Sequence, residues 1–468
     1  MSSRSSNRPV STSRQLARNL RLARLGAKSG GRFAVTKAKQ TFASAERKEE
    51  LNLEFQMRTA EDVTRELGNM KGAMMKIGQM ASYLDTGLPD HVRETLASLQ
   101  HDAPPMTPEL AAATLATALG TDPANVFSEW DPVPIAAASI GQVHRAITKD
   151  GRAVAVKLQY PGVAGAVASD LNNAGWLFGA MASMFPGLDP EPIVAEIKDR
   201  LIEELDYELE AISQEYYADF FDGHPFITVP HVIPELSGKE VLTSELAVGA
   251  RFDEVKTWSQ EERNLTAETL FRFSFGSIYR LAIFNGDPHP GNYLFRPGGQ
   301  ITFLDFGLVK RFTEAETKLF EVLITAMVLD QDISHFRSII VGAGLLPANS
   351  TVSDDLVREY FSFFYRYVME DEVITIDDAY AAGGVRQLFE QKGPYAELKK
   401  ELNVPPSFVL LQRITLGLMG LFADLEATAN FRRLGEELWP FAEGKPSTPM
   451  GEEIAAFRRS QGADFWGL

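Results

Sequence analysis

The sequence predicts an α+β fold in two lobes, a small one built around antiparallel strands and a larger one built from helices. Three observations predict it. The stretch from Gly141 to Leu158 reads as strand, turn and strand about Lys149-Asp150-Gly151, the Asp-Gly signature of a hairpin. A long helical pattern follows from about Pro192 to Phe221, and after short strands at Ile227 to Val232 and Lys239 to Glu245 the chain reads as mostly helical to about Phe441. One hairpin, Tyr293 to Phe295 with Ile301 to Leu304 across Pro297-Gly298-Gly299, interrupts the helices.

The chain's 468 residues, 45% of them hydrophobic, are enough for both lobes and for extensions. Its four expected regions are a basic, flexible extension over 1–48, a helical segment over 49–130, the small lobe over 131–246 and the large lobe over 247–468. Helix fits Glu49 to Leu84, which Pro89 punctuates, and Pro108 to Ala118. In the Pro192 to Phe221 helix, Val194, Ile197, Leu201, Leu205, Leu209 and Ile212 share one stripe, the pattern of core packing. Before the first hairpin, Ala136-Ala137-Ala138-Ser139 reads as an Ala-rich loop.

Charge is segregated along the chain. The formal net charge is -17, yet residues 1–48 hold 12 Lys or Arg against one acid, Glu46, so that this +11 tail leaves -28 on the rest. An acidic body does not neutralise phosphates, which argues against a nucleic-acid partner. In the tail, Leu16, Leu20 and Ala23 share a helical face, with Arg14, Arg18, Arg21 and Arg24 around it. This pattern fits a solvated tail, peripheral binding at a membrane surface, or an Arg-rich transit peptide. The longest apolar stretch, Phe408 to Ala423, is broken by Gln412 and Arg413 and diluted by Gly417 and Gly420, so a buried helix is expected there rather than a membrane span. No secretory h-region is seen, and the expected location is cytoplasmic, with organellar import left open. The absence of cysteine excludes disulfides, thiolate nucleophiles and Cys-ligated metal centres.

Four elements carry chemistry when taken in order. Val154-Ala155-Val156-Lys157 places a lysine at the end of an apolar strand, where it can reach a nucleotide's phosphates, and the following helix offers Glu204, Asp206 and Glu210 as its carboxylate partner. Asp287-Pro288-His289-Pro290-Gly291-Asn292 sets an aspartate and an asparagine five residues apart on a stiff loop. In a kinase-type site such an Asp orients or deprotonates the attacking hydroxyl and such an Asn helps hold Mg²⁺. Asp305-Phe306-Gly307, thirteen residues beyond Asn292, supplies a second hard oxygen ligand. The stretch Leu242 to Ala247 lies where backbone groups, at Glu245 and Ala247, would meet adenine. His289 holds the place where kinases often carry a phosphate-contacting lysine, a weaker and titratable contact. The P-loop, dinucleotide-binding and H-E-x-x-H motifs are missing from the sequence, which leaves those nucleotide and zinc chemistries without their residues.

The Ala-rich loop, Lys76-Ile77-Gly78-Gln79, Glu204-Leu205-Asp206 and the Asp287 to Asn292 loop together resemble the UbiB family, marked by KxGQ, Ala-rich, ExD and DPHPGN motifs. The likeness runs over roughly Glu49 to Lys310. It implies a protein-kinase-like two-lobed α+β fold with an N-terminal helical KxGQ extension lying over the site where a peptide would otherwise bind. It also implies that Lys76 and Gln79 gate the site, with Lys76 facing Glu204 and Asp206, and that Glu210 pairs with Lys157. On one straight helix, Glu204 and Asp206 point about 200° apart, which leaves open an exchange of roles between Glu204 and Glu210.

The expected activity is that of a Mg²⁺-dependent, ATP-binding atypical kinase or ATPase supporting ubiquinone or other isoprenoid-quinone metabolism, with a small-molecule or lipid quinone precursor as ligand. In it Asp287, Lys157 and Glu210 are the catalytic residues. Ala136, Ala137, Ala138, Ser139, Lys157, Glu245 and Ala247 bind the nucleotide, and Asn292 and Asp305 bind the metal. The alternatives are a serine/threonine protein kinase and a nucleotide-sensing scaffold without turnover. Against the first stands the short route from Asp305 to a helix, since Thr313 with Glu316 reads as a capping box.

Overall fold

The computed structural model describes residues 106–138, 140–165, 205–286, 288–389, 393–403, 406–464 and 466–468. Lys76, Gln79, Ser139, Glu204 and Asp287, the basic tail, and the helices expected at Glu49 to Leu84 and from Pro192 to Glu204 lie outside the described residues. Contacts divide the chain into two compact units. The first comprises Met1–Thr114, Pro134–Gln142 and Gln159–Leu205, the second Leu115–Val133, Val143–Leu158 and Asp206–Leu468.

Helices α1 (Pro108–Leu119) and α2 (Pro123–Val126) lead into strands β1 (Phe127–Ala138), β2 (Gly141–Thr148) and β3 (Ala153–Gln159), which with β5 (Val241–Glu245) form a sheet in the order β1-β2-β3-β5. The turn after β2 places Gly151 at φ 87°, a conformation that glycine adopts without a steric penalty. The segment expected as an Ala-rich loop is instead the end of β1. Ala136, Ala137 and Ala138 alternate between half-buried and exposed, so the extended backbone continues to the short turn before Gly141.

Of the helix expected from Pro192 to Phe221, the described part is the C-terminal half. Helix α3 (Tyr207–Phe220) starts after Asp206, whose extended backbone and side chain, accepting from Glu208 N at 3.1 Å, make it the N-cap. Its buried face is Tyr207, Glu210, Gln214, Tyr217 and Ala218. Leu209 and Ile212, expected in the core stripe, are 50% and 62% exposed, and Tyr216 joins them on the outer face. A polar Glu-Gln pair takes the inward positions instead.

The large lobe begins with β4 (Ile227–Thr228), shorter than the Ile227 to Val232 strand expected because Pro230 has no N–H to offer a ladder. After α4 (Phe252–Val255) comes α5 (Gln260–Leu281), in which every residue from Thr266 to Ile278 is buried. A helix that is buried all round is the centre of a core. Phe271, Phe273 and Phe275 spread from it, with Phe273 stacked on Phe303 at 3.6 Å between ring centroids. The same helix buries Arg272, whose guanidinium meets Glu268 and Glu437 at 2.8 Å each and donates to Gly467 O at 2.7 Å. Around α5 pack α6 (Glu314–Ile324), α7 (Ile333–Gly342), α8 (Asp354–Met369), α9 (Asp378–Phe389), α10 (Ala396–Glu401), α11 (Pro406–Asp424), α12 (Phe431–Leu438) and α13 (Pro449–Ser460). The capping box expected at Thr313 and Glu316 starts α6. The apolar stretch weighed against a membrane span is part of α11, which buries Ile414, Leu418 and Phe422, and no helix among the described residues is long and apolar enough to cross a membrane.

Two small sheets position the loops of this lobe. Strands β7 (Tyr293–Arg296) and β8 (Gln300–Phe303) form the expected hairpin, with Gly298 and Gly299 at positive φ in its turn. Strands β6 (Ile283–Asn285) and β9 (Val309–Arg311), unforeseen from sequence, pair antiparallel with Asn285 opposite Val309. A third pair, β10 (Ile374–Ile376) with β11 (Ala427–Ala429), closes the far side of the helices.

Candidate active site

Lys157 stands near the end of β3, held in register by β5, where it lies opposite Leu242. Its Nζ donates to Glu210 Oε1 at 2.6 Å and Oε2 at 2.9 Å, and lies 3.5 Å from Asp305 Oδ2. The ammonium also sits 5.0 Å from the centre of the Tyr207 ring. Tyr207 and Glu210 are one helical turn apart on α3, so one face of that helix supplies both. Glu210 is 3% exposed and Lys157 16%. Burial opposes the lysine's charge, but the Asp305 and Glu210 carboxylates outweigh it and hold its pKa well above the ordinary value. Burial also pushes the Glu210 carboxyl up, against the pull of Lys157, and so sets the two partners at odds. Contacts to both carboxylate oxygens decide for the ionised pair, to which the Phe306 N–H adds a further hydrogen bond.

Asp305 is fixed from several sides. Its Oδ1 accepts from Gly307 N at 3.0 Å, and its backbone oxygen accepts from the buried Asn285 Nδ2 at 2.5 Å. Asn285 ends β6, and Gly286 N donates to Leu308 O at 2.7 Å, so β6 and β9 tie the entry to the Asp287 loop to the chain just beyond Asp305. The other end of that loop is tied as well. Leu304 N donates to Asn292 O at 2.9 Å where the β7–β8 hairpin opens, which sets Asn292 beside the residue preceding Asp305. Phe306 turns inward, 1% exposed, with its ring 4.9 Å from that of Tyr217 on α3. Asp305 Oδ2 is therefore left toward Lys157, and the hairpin holds the Asn292 backbone beside Leu304, the residue before that carboxylate. A carboxylate with an amide is the hard-oxygen donor chemistry that suits Mg²⁺.

The remaining sequence candidates divide by position. Ala136, Ala137 and Ala138 belong to the first compact unit, whereas Lys157, Glu210, Asn292 and Asp305 belong to the second. Glu245, the last residue of β5, and Ala247 just beyond it also lie in the second. The Glu245 N–H is taken by His231 O and the Leu246 N–H by Ala153 O, while among the described residues no backbone carbonyl accepts from Ala247. Asp206 caps α3. His289 uses Nδ1 to accept from Gly291 N at 3.0 Å and so braces its own loop. Glu215, Asp219 and His231 also converge, with ligand atoms within 4.8 Å of one another. Glu215 accepts from Val232 N at 2.8 Å and meets His231 Nδ1 at 3.1 Å, ties that fasten α3 to the segment between β4 and β5.

Sequence reasoning passed over Tyr207, Tyr217 and Asn285. Tyr207 and Tyr217 carried a usable signal, spaced at -3 and +7 from Glu210 on one helical face. Asn285 carried none, because its role depends on a three-residue strand pair that no periodicity announces.

A small sheet whose lysine is paired to a helical glutamate, above a helical lobe bearing an Asp-Phe-Gly segment and an asparagine-ended loop, defines a protein-kinase-like α+β fold. The ABC1 atypical kinase-like domain model matches residues 98–338, and the chain belongs to this family, which includes the UbiB and COQ8 proteins. It is 32% identical over 283 residues to the mitochondrial atypical kinase COQ8 of Saccharomyces cerevisiae, a match covering 60% of this chain and 56% of that protein. It is 28% identical over 409 residues to the probable protein kinase UbiB of Vibrio atlanticus, covering 84% and 71%. The chain thus spans little more than half the length of the yeast relative. Among solved structures it is similar to Rv3197 of Mycobacterium tuberculosis, determined with erythromycin, at a TM-score of 0.60 and 30% identity, covering 85% of this chain and all of that one.

Proposed function

We propose that this protein is a Mg²⁺-dependent, ATP-using atypical kinase or ATPase that supports the metabolism of ubiquinone or another isoprenoid quinone. The observation that carries the reading is the convergence of Lys157, Glu210 and Asp305, and the backbone tie of Asn292 to Leu304 supports it. The likeness to COQ8 and UbiB supports the metabolic setting.

Magnesium bound with ATP would supply neutralising charge to the phosphates of the transferring group. Asp305 and Asn292 would hold it. Lys157, kept charged and aimed by Glu210, would meet the phosphates nearer the ribose, and Asp287 would orient the attacking hydroxyl or water. Ala136, Ala137, Ala138 and Ser139 would cover the phosphates and the backbone at Glu245 and Ala247 would meet adenine, while Lys76, Gln79, Glu204 and Asp206 would gate access. Only six residues separate Gly307 from α6, three of them in β9, which leaves little chain for an activation segment and favours a small ligand over a peptide. The tail of residues 1–48, at +11, would bring the protein to an anionic membrane surface.

The test is thermal shift with and without Mg-ATP together with phosphate release, on wild type and on Asp305→Asn and Asp287→Asn. Asp305→Asn should lose the Mg-dependent shift, whereas Asp287→Asn should keep it and lose phosphate release. An undiminished shift in Asp305→Asn would overturn the metal assignment.

A further inference from the structure

The connection after β5 runs from Leu246 to Arg251, where α4 begins, and lies wholly in the second compact unit. It is fastened to the hairpin beside the site. Ala250 N donates to Phe295 O at 2.8 Å, and Phe295 N donates to Ala250 O at 3.0 Å. The approach is closest at Gly249, where a β-carbon would stand 2.8 Å from Phe295 O, so only a glycine fits. Strand β7 starts at Tyr293, directly after Asn292. One short strand therefore sets both Asn292, at its start, and Arg251, next to the residue paired with it.

Arg251 holds the N-cap position of α4, but a capping side chain must accept a hydrogen bond and a guanidinium cannot. It reaches the Asp287 loop instead, donating to Gly291 O at 3.4 Å. The side chain is exposed, and among the described residues no carboxylate meets it. A guanidinium has five N–H donors and a carbonyl oxygen two lone pairs, so a single bond between them leaves a donor and an acceptor side by side. Their place along the site decides what they would meet. Adenine is expected at the backbone of Glu245 and Ala247, four residues before Arg251, and the phosphates at Lys157 and at Asn292, which follows Gly291. The sugar joins base to phosphates and so must cross between these points, past Arg251 and Gly291.

We propose that Arg251 and Gly291 O hold the ribose of the nucleotide by its two vicinal hydroxyls, and that Arg251 makes the site prefer ribonucleotides to deoxyribonucleotides. The chemistry is complementary. A hydroxyl both donates and accepts, so one oxygen of the diol takes an N–H of Arg251 while the other hydroxyl donates to the carbonyl. Arg251 has this part only with ATP seated as proposed above. Because the contact is exposed, losing one hydroxyl weakens binding about fivefold, well short of the exclusion that a closed polar pocket achieves.

The experiment is calorimetric titration of the full chain with the Mg²⁺ complexes of ATP, 2′-deoxy-ATP and 3′-deoxy-ATP, on wild type and on Arg251→Ala, its fold checked by circular dichroism. Wild type should bind each deoxy analogue about fivefold more weakly than ATP. Arg251→Ala should lose about fivefold for ATP and nothing for one of the two analogues, the one without the hydroxyl that the arginine met. A purely structural role would not produce that selective loss. Equal affinity of wild type for all three nucleotides would overturn the proposal without recourse to the variant. Equal weakening of all three by Arg251→Ala would also overturn it, by assigning the arginine to the phosphates. Both results leave the nucleotide reading standing, whereas wild type that binds none of the three would overturn that reading and this proposal together.

Discussion

Gly417 of α11 approaches Pro288 so closely that a β-carbon built on it would stand 2.8 Å from the proline Cγ. In the sequence this glycine only diluted an apolar run; in the fold it makes room for the loop between Gly286 and Asn292. The proline ring cannot swing aside, so an added methyl group must displace the loop itself. We expect Gly417→Ala to lower phosphate release about ten- to a hundredfold, the size of effect that a misplacement of about 1 Å produces, while the Mg-ATP thermal shift persists. Turnover equal to wild type would show that the loop's position is not set by this contact.

The buried Arg272 is a second point of sensitivity. Its charge is balanced by Glu268 and Glu437, and Glu437 also accepts from Ser447 N at 2.8 Å. Glu437→Gln removes one of two counter-charges from a fully buried guanidinium. Urea unfolding should show a loss of about 3 to 5 kcal/mol. A loss below about 1 kcal/mol would mean that Glu268 alone suffices.

His224 gives the fold a dependence on acidity. Its Nδ1 accepts from Phe226 N at 3.2 Å and Ile227 N at 3.0 Å, which requires the neutral ring, and burial together with the Arg272 and Arg458 charges pushes its pKa down to about 3. A histidine ordinarily titrates near 6.5. Between those values the unfolded chain binds the proton and the folded one does not, so stability is full above about pH 6.5 and falls as pH drops toward 3. We expect urea midpoints to decline from pH 7 to pH 5, with a slope from this residue of up to about 1.4 kcal/mol per pH unit, and His224→Gln to flatten it. An unchanged slope in the variant would assign the acid sensitivity elsewhere.

Catalysis of transfer to proteins should be poor. The chain enters β9 and then α6 within six residues of Gly307, so the large lobe has little segment there on which to lay a peptide. Radiolabelled ATP should give weak basal hydrolysis and negligible labelling of generic protein substrates; robust peptide phosphorylation would favour an ordinary protein kinase.

Flotation with anionic vesicles compares the full chain with one starting at Glu49. The +11 tail should confer recovery with the vesicles that salt abolishes. Equal, salt-insensitive recovery of both would remove the tail from any role at membranes.

What could be read in advance follows from where the information sits. The β2–β3 hairpin, the β7–β8 hairpin and the Thr313 capping box were legible because each is fixed by residues within a few positions of one another. The β6–β9 pairing was not, since three residues on each side carry no period and meet only because the Asp287 and Asp305 segments are folded together. Helix α3 misled for another reason. In the sequence its apolar residues continue the stripe of the segment before it, but the helix capped by Asp206 turns Glu210 and Gln214 inward, Glu210 where Lys157 meets it. The Ala-rich segment misled similarly, because alanine tolerates the extended backbone of β1 as readily as a turn.

Glu210 and Tyr217 lie seven residues apart on that helix, on one face and about 10 Å apart along its axis. The first grips Lys157 and the second seats Phe306. Because α3 is a stiff rod, these two contacts are not independent switches: a translation or roll that loosens one loosens the other. The lysine of the sheet and the Asp-Phe-Gly segment are thus held by one helix, and a displacement of α3 would act on both at once.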